Sequence, residues 1–278
     1  VSSVIKLSAP DAQGFWELPV LFEDDYLLAL DKPAGLLVSR DATDAALPNL
    51  VDLLHAGIER GAAWARVPGR AFLAAAQRLD TEASGILLLA KNKDVLATLL
   101  SAFGSEQPGR NYMALAQGAP AEEKFRNGSK LAPNEVVPGA FRVDPHNGKR
   151  SLTNFEVAEK FDGWTVMKCE ALTDRPHQIR VHLRNLGLPL AGDALYGGKP
   201  LLLSRLKSHY RLKPNRTERP LVDRAALHAD SLVFPHPVTG AEVKISAPLP
   251  KDLTVAIKYL RRYALAPAAL PPNETSPS

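Results

Sequence analysis

The sequence predicts an α+β fold, a largely antiparallel, twisted sheet flanked by helices. Strand-like segments outnumber helical ones, and two hairpin-type turns, Asp162-Gly163 and Thr239-Gly240, join consecutive strands directly. An unbroken apolar run, Gly85 to Ala90, is too short to span a membrane and reads as a strand covered on both faces. With 278 residues, the chain has ample volume for an apolar core.

Each element follows from local pattern. Residues 1–20, with Pro10, Gly14 and Pro19 among scattered apolar positions, read as a short extended lead-in. YLLALDKPAGLLV, residues 26–38, reads as a strand stopped by Lys32-Pro33, because proline cannot donate to a central ladder, and turned at Gly35. Through 48–60, Leu50, Leu53, Leu54 and Ile58 recur at helical spacing, with Pro48 in the first turn and His55 on the solvent side. Residues 62–71 read as a loop. Val95, Leu99 and Phe103 repeat the helical spacing over 94–103, and Gly104 closes that helix.

GRNYMALAQG, residues 109–118, is a short strand carrying Tyr112. Residues 119–150, rich in Pro, Gly, Asn and charge, form a connecting region with a strand candidate at 140–143. KRSLTNFEVAEKF and WTVMKCEAL then flank Asp162-Gly163 as a hairpin and deliver the chain to Thr173. A helix over 176–186 starts at a turn, places Ile179, Leu183 and Leu186 on one face and stops at Gly187. Residues 199–219 concentrate Lys and Arg around a single Glu218 and read as a basic loop. A strand at 224–229, a closing hairpin about Thr239-Gly240 and an amphipathic helix at 252–263 complete one domain spanning 21–265; residues 266–278 read as a disordered tail.

The formal charge of +4 and pI near 9.1 permit nucleic-acid binding without demanding it. A single cysteine, Cys169, excludes an internal disulfide and a cysteine metal cage, and fits a reducing cytoplasm. The first ten residues, VSSVIKLSAP, lack the basic start and apolar stretch of a signal peptide, and no apolar run reaches membrane-spanning length. A cytoplasmic protein with no membrane partner is expected.

The most informative stretch is 77–92, where a charged, small-residue turn runs straight into the apolar strand, so that a reactive side chain there is held by the sheet beneath it. Asp80 is the first candidate. An isolated Asp in a turn ordinarily bonds its own backbone two residues on, and nothing in composition raises Asp80 above that. His177 and His182, with Asp174 nearby, invite a metal reading. Their five-residue offset does not bring both rings to one helical face, as the four-residue offset of a zinc helix does, so no metal is expected.

RLDTEASGILLLAK, residues 78–91, resembles the arginine-leucine-aspartate signature of the RluA-type pseudouridine synthases, and RPHQIRVHLRNLGLPLAGDALYGG, residues 175–198, resembles that family's second strong signature. The two occur in the expected order. LDKPAGLLV resembles the first family motif, with Asp31 for the usual Asn, and RAALHA at 224–229 resembles a further family strand. Asp174 stands where the family usually has Gly, Gln77 where it has His, and Ala83 where Thr is common.

The resemblance implies the pseudouridine synthase fold around a central cleft, and isomerisation of uridine to pseudouridine in ribosomal or transfer RNA. The target nucleotide is flipped out, its base is cut from the ribose, turned and rejoined through carbon 5. It implies Asp80 as the essential catalytic residue, Tyr112 as the catalytic tyrosine that stacks on the uracil and helps remove the ring proton, and Arg180 as the ion-pair partner of Asp80. Arg78 is implied to help displace the base and Leu227 to pack in the site, with His177 and Gln178 on the substrate side. Arg211, Lys213 and Arg216 of the basic loop are expected to meet phosphates. No cofactor is implied, because the reaction rearranges atoms already present. Structured RNA is the expected partner, with no DNA, and the protein is expected to be a monomer. Many relatives carry a small RNA-binding domain before the first motif, for which residues 1–20 are too few. The alternative from another class is an RNA-binding or RNA-folding module that keeps the fold without catalysis.

Overall fold

The computed structural model describes residues 3–9, 14–40, 47–104, 109–212 and 215–265. Its strands are β1 (Val4–Ala9), β2 (Gly14–Glu23), β3 (Leu27–Lys32), β4 (Ala74–Ala75), β5 (Ser84–Ala90), β6 (Gly109–Gln117), β7 (Lys124–Asn127), β8 (Leu131–Pro133), β9 (Phe141–Val143), β10 (Thr153–Phe161), β11 (Trp164–Ala171), β12 (Leu227–Pro235) and β13 (Glu242–Ser246). The helices are α1 (Leu50–Glu59), α2 (Lys93–Gly104), α3 (Gln178–Asn185), α4 (Leu203–Leu206) and α5 (Lys251–Tyr263). One eleven-stranded sheet runs β1-β2-β3-β5-β12-β6-β11-β10-β7, with β13 beside β12 and β4 beside β5, while β8 and β9 make a separate ribbon. Among the described strands every pairing is antiparallel except β5 with β12. The expected α+β class holds.

β5 is the keel. All seven of its residues are buried, and the pleat sends Leu87 and Leu89 into one core and Ile86, Leu88 and Ala90 into another. α1 and α3 cover the first face through Leu50, Leu54, Ile179 and Leu183. α2 covers the second face through Val95, Leu99 and Phe103. Each fully buried Leu stabilises the fold by roughly 2 kcal/mol, so the strand is a rigid mount for whatever its N-terminal end carries. Farther along the sheet, α5 packs Leu253, Ala256, Ile257 and Leu260 with Leu115, Phe161 and Val166.

Three stretches differ from the sequence-based expectation. Residues 4–9 and 14–23 are extended but are not a lead-in: they form a hairpin on the edge of the sheet, paired from Val4↔Pro19 to Ala9↔Gly14, and bury Ile5, Leu7 and Leu18. The connecting region 119–150 holds the expected strand candidate as β9 and two further short strands: β8, which pairs with β9, and β7, drawn onto β10 where Phe125 stacks on Phe155. The expected strand at 224–229 and the first arm of the closing hairpin are one continuous strand, β12, with a bulge between Ala229 and Ser231. Residues 266–278, expected as a tail, lie outside the described residues, as does Lys213 of the basic loop. Among the described residues no helix is long and apolar enough to cross a membrane.

Candidate active site

Asp80 sits in the loop that enters β5, and the backbone around it is tied from several directions. Lys32, at the end of β3 and fully buried, donates from Nζ to the carbonyls of Pro33 (2.9 Å), Leu36 (2.8 Å) and Thr81 (3.3 Å). The Gly35 N–H donates to the same Thr81 carbonyl at 2.7 Å. Burial pushes the Lys32 ammonium down to about 7, and the nearby Asp80 carboxylate opposes that fall. Arg224 donates to the Glu82 carbonyl and to Ser84 Oγ, both at 3.1 Å, and is itself gripped by Asp252 of α5 at 2.8 and 3.2 Å. Two cations from distant parts of the chain therefore fix the backbone immediately after Asp80.

Arg180 projects from α3, a helix with six of eight residues buried, so this arginine cannot reach solvent. Its Nε and Nη2 donate to the two oxygens of fully buried Asp193 at 2.8 Å each, a bidentate pair. The Tyr196 ring lies 5.0 Å from the guanidinium carbon. Thus held, Arg180 offers Nη2 to Glu82 at 3.1 Å and Nη1 to Asp80 Oδ2 at 3.5 Å. Burial works against its charge, but Asp193, Asp80 and Glu82 together raise its pKa and keep it protonated.

Tyr112 lies in mid-β6, opposite Cys169 of β11 and Ala229 of β12. Burial pushes its phenol well above the ordinary range, reinforced by the Asp174 carboxylate, so it stays neutral. Asp80, Tyr112, Arg78, Gln178 and Leu227, all singled out from sequence, line a single pocket with Leu79, Ala83, Thr173, Asp174 and Ile179. An aromatic ring, aliphatic walls and two carboxylates suit a flat heterocycle whose attached atoms face a nucleophile or base.

Other expected residues are turned elsewhere. His177, in a left-handed conformation (φ 54°), bonds the Tyr196 hydroxyl through Nδ1 at 2.8 Å and packs edge-on to Phe141; it does not line the pocket. Gln178 lines it, yet its amide is engaged with Thr173, Arg175, Leu152 and Thr153, which braces the 173–177 loop. Both ring nitrogens of buried His182 meet protein oxygens, including Ser151 Oγ at 3.0 Å and Thr153 Oγ1 at 2.9 Å. Arg211 and Arg216 are exposed on the segment after α4 and do not line the pocket. Sequence reasoning missed Asp193, Lys32 and Arg224 as parts of the site's frame. All three lie inside the quoted motifs, and Gly192 beside Asp193 was the available signal: a Cβ there would meet the Arg224 carbonyl at 2.3 Å.

Residues 26–185 match the family described as RNA pseudouridylate synthase. Over 265 residues the chain is 32% identical to the ribosomal large subunit pseudouridine synthase D of Xanthomonas campestris pv. campestris, covering 91% of this chain and 72% of that protein. It is 33% identical over 246 residues to the ribosomal large subunit pseudouridine synthase C of Yersinia pestis, covering 88% and 70%. In structure it is similar to human RNA pseudouridylate synthase domain containing 4, with a TM-score of 0.64 at 21% identity over 87% of this chain and 92% of that one. That last likeness speaks for the fold; the sequence matches carry the family. The chain belongs to the RNA pseudouridylate synthases, enzymes that isomerise uridine in RNA to pseudouridine.

Proposed function

We propose that the chain isomerises uridine in large-subunit ribosomal RNA, in the cytoplasm, with Asp80 as the group that opens the reaction. The observation that carries this is the position of the Asp80 carboxylate. It lines the pocket walled by Tyr112 and Leu227, 3.5 Å from a guanidinium that Asp193 immobilises. A flipped uridine would enter with its base against Tyr112, and Arg78, exposed at the rim, would fill the space the base leaves in the RNA. Asp80 then attacks carbon 1 of the ribose as the bond to the base breaks and its electron pair leaves with the base; the base turns, and its carbon 5 bonds the same ribose carbon, which releases the Asp80 carboxylate. Arg180 supplies the counter-charge. The names of the relatives support ribosomal RNA as substrate.

The test is release of tritium from carbon 5 of uridine in a large-subunit ribosomal RNA transcript. Asp80→Asn keeps shape and removes the ionisable group, so turnover is expected to fall by several powers of ten while circular dichroism is unchanged. Normal turnover by that variant overturns the role of Asp80. Pseudouridine mapping of RNA from cells with and without the gene identifies the uridine.

A further inference from the structure

Isomerisation ends with a proton. Once carbon 5 of the uracil bonds carbon 1 of the ribose, it still carries its hydrogen. That hydrogen leaves as a proton while its electron pair restores the ring double bond, and a base must take it. Tyr112 faces the same pocket, but desolvation raises its phenol above the ordinary range, so as a base it would first have to give up its own proton. The pocket, however, contains a second carboxylate, Asp174, where the resemblance to the family leads one to expect glycine.

Asp174 follows β11 on the loop that α3 closes. Its Oδ2 lies 3.6 Å from Nη1 of Arg110. Arg110 precedes Tyr112 by two residues on β6 and so shares its face of the sheet. Its side chain is 4% exposed, Nε reaches the Ala171 carbonyl at 3.4 Å, and Nη1 and Nη2 have no hydrogen-bond partner among the described residues. The guanidinium carbon packs 5.8 Å from the Phe103 ring centroid, but Nη1 and Nη2 still lack acceptors, and a carboxylate held electrostatically at the pocket wall compensates that buried charge. The charged and titratable groups around Asp174 are Arg110, Arg78, Asp80 and Tyr112. Burial raises its pKa against the pull of the two arginines, which makes it a stronger base than an exposed carboxylate.

We propose that Asp174 is a second catalytic carboxylate of this site, the base that takes the carbon-5 proton, and that Arg110 is the positioning residue that holds it beside the uracil. The inference rests on the reading of this pocket as the uridine site. Asp174 gains the proton as carbon 5 loses it, the ring recovers its double bond, and the proton passes to water as product leaves.

The experiment compares single-turnover rates on large-subunit ribosomal RNA transcribed with uridine or with 5-deuterouridine. For Asp174→Asn the rate is expected to fall about 100-fold or more, with an isotope effect larger than the parent's because proton removal becomes the slow step. Asp174→Glu should recover part of the rate and shrink the isotope effect. Arg110→Met should show a smaller fall with the same enlarged isotope effect, a signature that a purely structural role would not produce. An Asp174→Asn variant with the parent's rate, or one that is slow with the parent's isotope effect, overturns the proposal. A parent protein that binds this RNA without converting any uridine overturns the functional reading, and this inference with it.

Discussion

At the scale of single residues, the site depends on a carboxylate that the chemistry does not touch. Asp193 is fully buried and takes two of the donors of Arg180, leaving Nη1 to face Asp80. Removing one partner of a buried, hydrogen-bonded ion pair costs about 3–5 kcal/mol where the other charge is stranded, and less here because Asp80 and Glu82 still face the guanidinium. Asp193→Asn is therefore expected to lower unfolding stability by about 1–3 kcal/mol and to slow isomerisation by releasing Arg180 from its position. Urea unfolding alongside single-turnover rates measures both; a stability loss within experimental error would mean that Tyr196 and Glu82 suffice to hold the guanidinium. Lys32 works similarly on the backbone, since its three carbonyl acceptors belong to the turn before Leu36 and to Thr81 beside Asp80.

At the scale of elements, the contact between β5 and β12 sets where Asp80 begins. It is the sheet's parallel pairing, His228↔Ser84 and Ala229↔Gly85, and it is close enough that a Cβ on Gly85 (φ 110°) would lie 2.2 Å from the Ala229 carbonyl oxygen. Gly85→Ala combines a forbidden contact with a left-handed backbone, so it is expected to cost at least about 2 kcal/mol and to lower the unfolding temperature measurably. An unchanged melting curve would mean the two strands can separate freely.

The same joint buries His228, whose Nδ1 meets Ser84 Oγ at 2.9 Å. Burial, aided by the Arg224 charge, pushes its imidazole down to about 4. Between pH 6.5 and about 4 the unfolded chain binds a proton at this position that the folded chain refuses, so stability falls as pH falls through that window, by on the order of 3 kcal/mol. Denaturant midpoints at pH 7 and pH 4.5 should show a smaller acid loss in His228→Gln than in the parent. Equal losses would assign the acid sensitivity to other groups.

For the whole molecule, RNA must be held by surfaces beyond the pocket. The basic segment 199–219 is the candidate, with Arg211 and Arg216 exposed and unattached to the catalytic frame. Neutralising Arg211, Lys213 and Arg216 together is expected to flatten the dependence of log affinity on log salt by about 0.7 for each phosphate that no longer meets a cation, while the rate at saturating enzyme stays near the parent's. A salt titration of RNA binding decides: an unchanged slope makes the segment ordinary solvated surface, and a collapsed saturating rate makes it part of the site.

What the sequence determined by itself was whatever local periodicity or a contiguous motif encodes. The apolar run of β5 announced a strand covered on both faces, because a two-residue side-chain period can keep every position buried only when both sides are packed. The spacing of Val95, Leu99 and Phe103 marked α2, and the signatures around Asp80 and Arg180 singled out two side chains that lie 3.5 Å apart. The N-terminal hairpin was partly legible, since Ile5 and Leu7 alternate with exposed Val4 and Lys6, but so short a pattern beside Pro10 and Gly14 does not say which surface it covers. Only the tertiary structure decided the polar frame: Asp193 on Arg180 across 13 positions, Lys32 on Thr81 across 49, Arg224 on Ser84 across 140, and Arg110 near Asp174. The physical reason is that burial of an apolar face follows from the period of one segment. The partner of a buried charge follows from which distant segments the sheet order brings within hydrogen-bonding reach.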